Sequence, residues 1–300
     1  MIPTRRTLLS AALGVAATAT AAAAGPRKPS ETTGKAAGHA LLPGGLQDHT
    51  AALQAEIDAA SAAGRAVVLA PGVFRIGTLV LRPGTVLTGT PGLTRLEFTG
   101  GDAFVVAEGS GGLFLSGLVL DGGNRALLSE DEDAALLRFT DCMGLSLTNV
   151  TVTGALANAI TLTRSSGRIS DGTVSHALLA GIRSIDAAGL EISHMSVSDC
   201  GNNGIQVWRS KTGTDGTLVT GNRIQRIGAK GGGSGENGNG INVFRAGGVI
   251  VSNNLITDCA FSAVRGNAAS NIQILGNNCA ALGEVAVYAE FGFEGAVIAN

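Results

Sequence analysis

His176, Asp199, Arg226 and Asp258 recur at intervals of 23, 27 and 32 residues, and the same intervals separate the apolar residues Ile169, Ile192, Val219 and Val251. A chain that repeats in this way stacks such residues into one column, where an imidazole beside a carboxylate can serve as a general acid/base pair. A column of alternating sign can equally be a surface charge ladder that keeps like charges apart. Arg209-Ser210-Lys211 sets two cations close together, groups able to draw a proton from a carbon beside a sugar carboxylate while neutralising that acid. His176, Asp199, Arg209 and Lys211 are therefore the catalytic candidates.

A second set has the composition of a sugar groove. Arg183, Gln206, Asn242, Arg265 and Tyr288 share one offset in the repeat, with Trp208 and Phe244 two residues on and Arg245 next. Aromatic rings stack on the apolar faces of sugars, while Arg, Gln and Asn bond hydroxyls or carboxylates. A solvated strand whose arginine stems cover apolar surface would look the same. Glu130, Asp131 and Asp133, in a run of four acidic residues, could give oxygen ligands to Ca²⁺ or form a solvated acidic loop. No other cofactor is expected.

These columns exist only if the chain is a solenoid. Anchors at Leu115, Leu147, Ile169, Ile192, Val219, Val251, Ile274 and Ile298 are spaced by 32, 22, 23, 27, 32, 23 and 24 residues, a repeat with insertions. Within each coil the apolar residues alternate at period two in three short runs bounded by Gly and Asn, too short for helices. The expected fold is all-β: a single-stranded right-handed parallel β-helix with about 23 residues per coil. A leucine-rich repeat shares the period but needs a helical segment that these coils lack. Leu53, Ile57 and Ala60 fall on one face of a short amphipathic helix ending near Gly64, placed to cap the exposed end coil.

The column Val152, Val174, Val197, Ile224, Ile256 and Cys279 reads as core, as does the one holding Cys200 and Cys259. Two coils apart, those last two cysteines stand roughly 10 Å from each other, beyond disulfide reach. Cys200, Cys259 and Cys279 are expected as free, buried thiols, with Cys142 unplaced. Asn149, Asp171, His194 and Asn253 mark a tight turn. Two insertions of equal length, ahead of Leu137 and Ile241, wall the aromatic strand at one corner four coils apart, or about 19 Å.

The 300 residues include 45 glycines and 7 prolines and carry a net charge of -2. That balance gives no basic surface for nucleic acid, and no internal run is long enough to span a membrane. Residues 1–24, with Arg5-Arg6 before an apolar stretch ending in three alanines, read as a twin-arginine (Tat) signal peptide with an A-x-A cleavage site; a Sec signal is the alternative. Residues 25–45 read as a flexible linker and 46–300 as the β-helix domain, which stops mid-coil at Asn300. A periplasmic or secreted monomer is expected, handled by the Tat translocase during export and holding no membrane anchor once the signal is cleaved.

The D-x-T-A-A-L-Q-x-x-I-D-A-A run at 48–60, the V-x-L-A-P-G-x-F-R-I-G run at 67–77 and the Asn-rich coils resemble the pectate-lyase-like superfamily over residues 46–300. With the leader, the chain resembles the Tat-translocated repetitive proteins of alphaproteobacteria, a family with no assigned reaction. The resemblance implies an asparagine ladder at the tight turn and an active site bordered by the corner loops. Of the polygalacturonase motifs only Arg-x-Lys is present, as Arg209-Ser210-Lys211, and the alginate-epimerase Asp-Pro-His is missing. What the resemblance implies is an exported protein that binds or processes a polysaccharide, an acidic glycan by its arginines, through a lyase or hydrolase reaction if any. A non-catalytic structural or envelope-assembly role is the alternative.

Overall fold

A computed structural model describes residues 41–129, 131 and 133–299; the leader, most of the linker and Glu130 lie outside the described residues. From Ala66 to Ala299 the chain winds through 28 short strands that fall into three ladders, parallel throughout. In the first ladder Leu115, Leu147, Ile169, Ile192, Val219, Val251, Ile274 and Ile298 are direct partners, each one coil from the next. Val67 and Leu87 extend it by two coils toward the N-terminus. The unequal spacings of the anchors are thus corner insertions, with register kept.

The second ladder aligns Val152, Val174, Val197, Ile224, Ile256 and Cys279. The third aligns Leu137, Ile160, Ile182, Ile205, Ile241, Val264 and Val287. Alternate residues of all three ladders point inward and build one continuous core, in which Phe74, Phe104 and Phe139 are the bulkiest fully buried side chains. Each large apolar side chain so buried contributes roughly 1.5–3 kcal/mol relative to exposure. All four cysteines are free; Cys142, Cys200 and Cys259 are buried. Cys279, expected to be buried too, is only half so, because it stands in the last strand of its ladder with no coil above it among the described residues.

The corners between ladders are made by residues in the left-handed conformation. Asn149, Asp171, His194 and Asn253 hold φ of 53–57° at the first corner, and His176, Asp199, Arg226 and Asp258 hold 54–57° at the second. A third such column, not foreseen from sequence, comprises Asp141, Arg164, Asp186, Arg245, Ala268 and Phe291 at 48–57°. The bonded asparagine ladder lies one residue beyond the first corner, not on it. Asn222 Nδ2 donates to Asn254 Oδ1 and Asn254 Nδ2 to Asn277 Oδ1, both at 2.9 Å. The shift has a simple cause: the left-handed corner residue turns its own side chain out, and the next residue turns in beneath the following coil.

The helix Thr50–Ala62 buries Leu53, Ile57 and Ala60 against the first coils and is followed by Gly64 at φ 62°. It seals the edge chemically as well. The Gln54 amide donates to Val80 O and accepts from Val80 N, both at 2.8 Å, so one side chain satisfies the strand's edge as a neighbouring backbone would. Thr50 Oγ1 accepts from Gly77 N in the same way at 2.6 Å. Among the described residues no helix is long and apolar enough to cross a membrane.

Candidate functional site

The outward positions of the third ladder bring the predicted sugar-binding residues together. Arg183, Gln206, Asn242, Arg265 and Tyr288 are successive partners, as are Trp208, Phe244, Asn267 and Glu290 two residues further along. The first of these columns is not an open surface. Gln206, Asn242 and Arg265 are 3–5% exposed, because the insertion over residues 228–238 folds across them. Asn203 Nδ2 and Asn242 Nδ2 both donate to Glu236 O at 3.1 Å, which pins that loop to the strand. Where a side chain on Gly235 would begin, it would collide with the Arg265 guanidinium, so glycine there lets the loop lie on the arginine.

The second column stays half-buried and carries the aromatics. Trp208 and Phe244 meet edge to face with ring centroids 5.7 Å apart, and Trp208 Nε1 donates to Asn242 Oδ1 at 3.1 Å. The arginines are stacked on rings: Arg183 over Trp208 at 4.6 Å, Arg245 over Phe244 at 4.5 Å and Arg265 over Tyr288 at 4.5 Å. Trp208, Phe244, Asn242, Asn267, Arg265 and Glu236 line a hollow of about 110 Å³. A much larger space of about 790 Å³ is lined by core positions of the last coils, such as Ile274, Val287 and Ile298, and has none of this chemistry.

The catalytic candidates are not brought to one place. His176 and Asp199 border a shallow depression of about 190 Å³ at the second corner, with Asn124 and Lys230. There Asp199 is held by Arg226 through two bonds of 2.6 and 2.8 Å, and this partner brings its carboxyl down to about 2. An acid so firmly ionised orients the arginine rather than an imidazole. The column is, in this stretch, a charge ladder, and Arg164 with Asp141 repeats the same two-bond pair at the third corner.

Arg209 lies on a different side of the solenoid. Residues Arg209 to Thr212 bulge out where the next coil has Arg245 alone, since Trp208 pairs with Phe244 and Gly213 with Ala246. Arg209 turns back from the bulge, donates to Ala187 O at 3.4 Å and stands 3.9 Å from Asp215 and 4.0 Å from Asp186. The Asp215 side chain is fully buried, and burial pushes its carboxyl up against the opposing pull of Thr217. Lys211 is exposed at the bulge tip. Neither cation reaches His176 or Asp199.

The Ca²⁺ expectation meets a similar obstacle. Asp133 accepts from Arg183 Nε at 3.0 Å and Asp131 from Ser129 Oγ at 3.0 Å, so the two described acids of this insertion already have donors. Among the described residues no group of three or more His, Cys, Asp or Glu is arranged to hold a metal ion.

The family described as a right-handed β-helix region matches residues 135–300, more than half of the chain. The chain belongs to the right-handed β-helix family. No curated protein sequence matches this β-helix protein. Among solved structures it is similar to the A-module of a mannuronan C-5 epimerase from Azotobacter vinelandii, at 18% identity and a TM-score of 0.58, covering 87% of this chain and 94% of that one. It is also similar to a tailspike protein of the E. coli bacteriophage HK620 in complex with a pentasaccharide, at 14% identity and a TM-score of 0.54, covering 83% of this chain and 57% of that one.

Sequence reasoning missed several members of this β-helix site. Asn267 shares the Trp208 column and was open to the same alignment. Glu236 lies in an insertion, where periodicity has nothing to say. Asp215 follows the bulge, which occurs in one coil only, so no column could flag it.

Proposed function

We propose that this β-helix protein is exported and binds a polysaccharide along the third-ladder face, between the two corner insertions. The observation that carries the reading is the hollow between Trp208, Phe244, Asn242, Asn267, Arg265 and Glu236, where aromatic surface adjoins both donors and an acceptor. That a mannuronan epimerase and a pentasaccharide-bound tailspike share this architecture is in keeping with it. Binding is favoured over turnover because Asp199 is committed to Arg226, and Arg209 to Ala187 and its acidic neighbours. Export rests on Arg5-Arg6 and the alanine-rich stretch after them.

The chain has one tryptophan, so emission from Trp208 reports on the site directly. Titration against a broad glycan set should shift that emission, and Phe244→Ala should weaken binding by about tenfold. Full binding by the Phe244→Ala and Trp208→Ala variants in an affinity gel would place the site elsewhere. Release of unsaturated uronate products would establish a lyase instead. For export, replacing Arg5 and Arg6 by Lys in a leader–reporter fusion should retain the reporter in the cytoplasm.

A further inference from the structure

Resting on that glycan-binding reading, we infer that Asp133 is a built-in competitor: its carboxylate holds the place on Arg183 that a uronate carboxylate takes when an acidic glycan binds. Arg183 stands between the two insertions, one coil before Gln206 and Trp208. Its guanidinium lies 4.6 Å over the Trp208 ring and donates through Nη1 to Gln206 Oε1 at 3.1 Å, and Gln206 is only 4% exposed. The ring beneath and the buried amide beside it fix the plane of the group before any ligand arrives, which lowers the ordering cost of binding. Arg265, by contrast, is closed off under Gly235 and taken by Glu290 at 2.7 Å. The charge of an acidic sugar is therefore met at Arg183, on the side of the aromatic pair that faces the first insertion.

Asp133 holds that arginine loosely. Asp141 on Arg164 and Asp199 on Arg226 each engage Nε and Nη2 together, through two bonds of 2.6–2.8 Å. Asp133 has a single bond to Arg183, from Nε at 3.0 Å, and its side chain is 45% exposed, where an ion pair is worth little. A carboxylate not tethered to the chain can turn to take Nε and Nη2 side by side, the pairing a guanidinium fork favours. Letting go costs the protein that one bond and no more. The insertion is held independently by Asn158 Nδ2, which donates to Ala134 O at 3.0 Å, and by Leu128 N, which donates to Gly101 O at 3.1 Å. The Asp133 side chain can thus rotate into solvent while the loop stays in place. An uncharged sugar has nothing to exchange for it and leaves the contact closed.

The test uses the purified protein and Trp208 emission, with calorimetry alongside. Hexamers of galacturonate, mannuronate and guluronate, and uncharged hexamers of glucose, mannose and xylose, would be titrated at physiological salt into the wild type, Asp133→Asn, Asp131→Asn and Arg183→Lys. Asp133→Asn should bind at least one uronate roughly two- to fivefold more tightly than the wild type, the span expected for removing one exposed ion pair, and should bind the uncharged hexamers as before. Asp131→Asn removes an equal charge from the same insertion without touching Arg183, and should leave every affinity unchanged. Arg183→Lys keeps the charge but loses the fork, and should weaken that uronate by about tenfold. Binding confined to uncharged hexamers, no gain with Asp133→Asn, an equal gain with Asp131→Asn or on uncharged hexamers, or no loss with Arg183→Lys overturns the inference while the glycan reading stands. No response to any hexamer by either method, in any of the four proteins, overturns both.

Discussion

Replacing Asn254 by Ala should be among the most damaging single changes in the solenoid. Its side chain accepts from Asn222 N and Asn222 Nδ2, both at 2.9 Å, and donates to Val219 O at 3.0 Å and Asn277 Oδ1 at 2.9 Å. Alanine leaves two N–H groups of Asn222, a residue 1% exposed, without an acceptor: the backbone one and one of the pair on Nδ2, whose other still bonds Ile192 O at 3.0 Å. At roughly 1–3 kcal/mol for each orphaned buried group, the loss is about 2–6 kcal/mol. By contrast Asn253→Ala, one residue earlier at the left-handed corner, forfeits mainly conformational ease, worth about 1 kcal/mol. Urea unfolding followed by circular dichroism measures both, and a double-mutant cycle with Asn222→Ala should show a coupling of roughly 0.5–3 kcal/mol, since the two residues share bonds. A cost below about 1 kcal/mol for Asn254→Ala, or strict additivity with Asn222→Ala, would falsify the claim that this column, and not the corner beside it, ties the coils together.

Three further outcomes follow from contacts described above. Gln54→Leu removes both bonds to Val80 and bares a strand edge, so the variant should self-associate with rising concentration in light scattering; an unchanged mass would show that the helix body alone protects the edge. The Asp199–Arg226 pair lowers the acid to about 2, so its contribution is present above the ordinary carboxylate range and is lost as pH falls toward 2. Both partners are partly solvated, which keeps the effect under about 1 kcal/mol, and Arg226→Met should flatten the urea midpoint between pH 5 and 2 by that amount. Asp215 has the opposite sign: burial raises it, so the stability linked to its protonated form is lost as pH climbs through its folded value. Arg209→Ala, which takes away its nearest cation, should therefore destabilise more at pH 8 than at pH 3, below the ordinary carboxylate range, and Asp215→Asn should remove that difference; equal losses at both pH values would mean Arg209 acts by packing alone.

The fold was legible because register in a parallel solenoid is set by apolar alternation, and Leu147, Ile169, Ile192 and their equivalents keep that alternation through every insertion. The site was legible as a set of columns and illegible as a set of interactions. Alignment puts Arg183 beside Gln206, but it cannot tell that Asp133, fifty residues earlier in sequence, reaches back to neutralise that arginine. Nor can it tell that Asp199 turns to Arg226 in the coil after it and not to His176 in the coil before, because the column is symmetric until side-chain reach is known. The ladder asparagines were misplaced by one residue for a related reason. Corner and ladder are adjacent, both favour Asn, and only the sign of φ separates the residue that turns out from the one that turns in.

The two corner insertions are joined by rungs, and that fixes how their separation can change. They stand four coils apart, and each coil advances the stack by about 4.8 Å. Gaining or losing a coil between them would move the walls in whole steps of that size while every other contact is restored by its new neighbour. The span offered to a ligand is therefore quantised: point substitutions can retune the chemistry of the floor, but only duplication or deletion of a repeat can change its length.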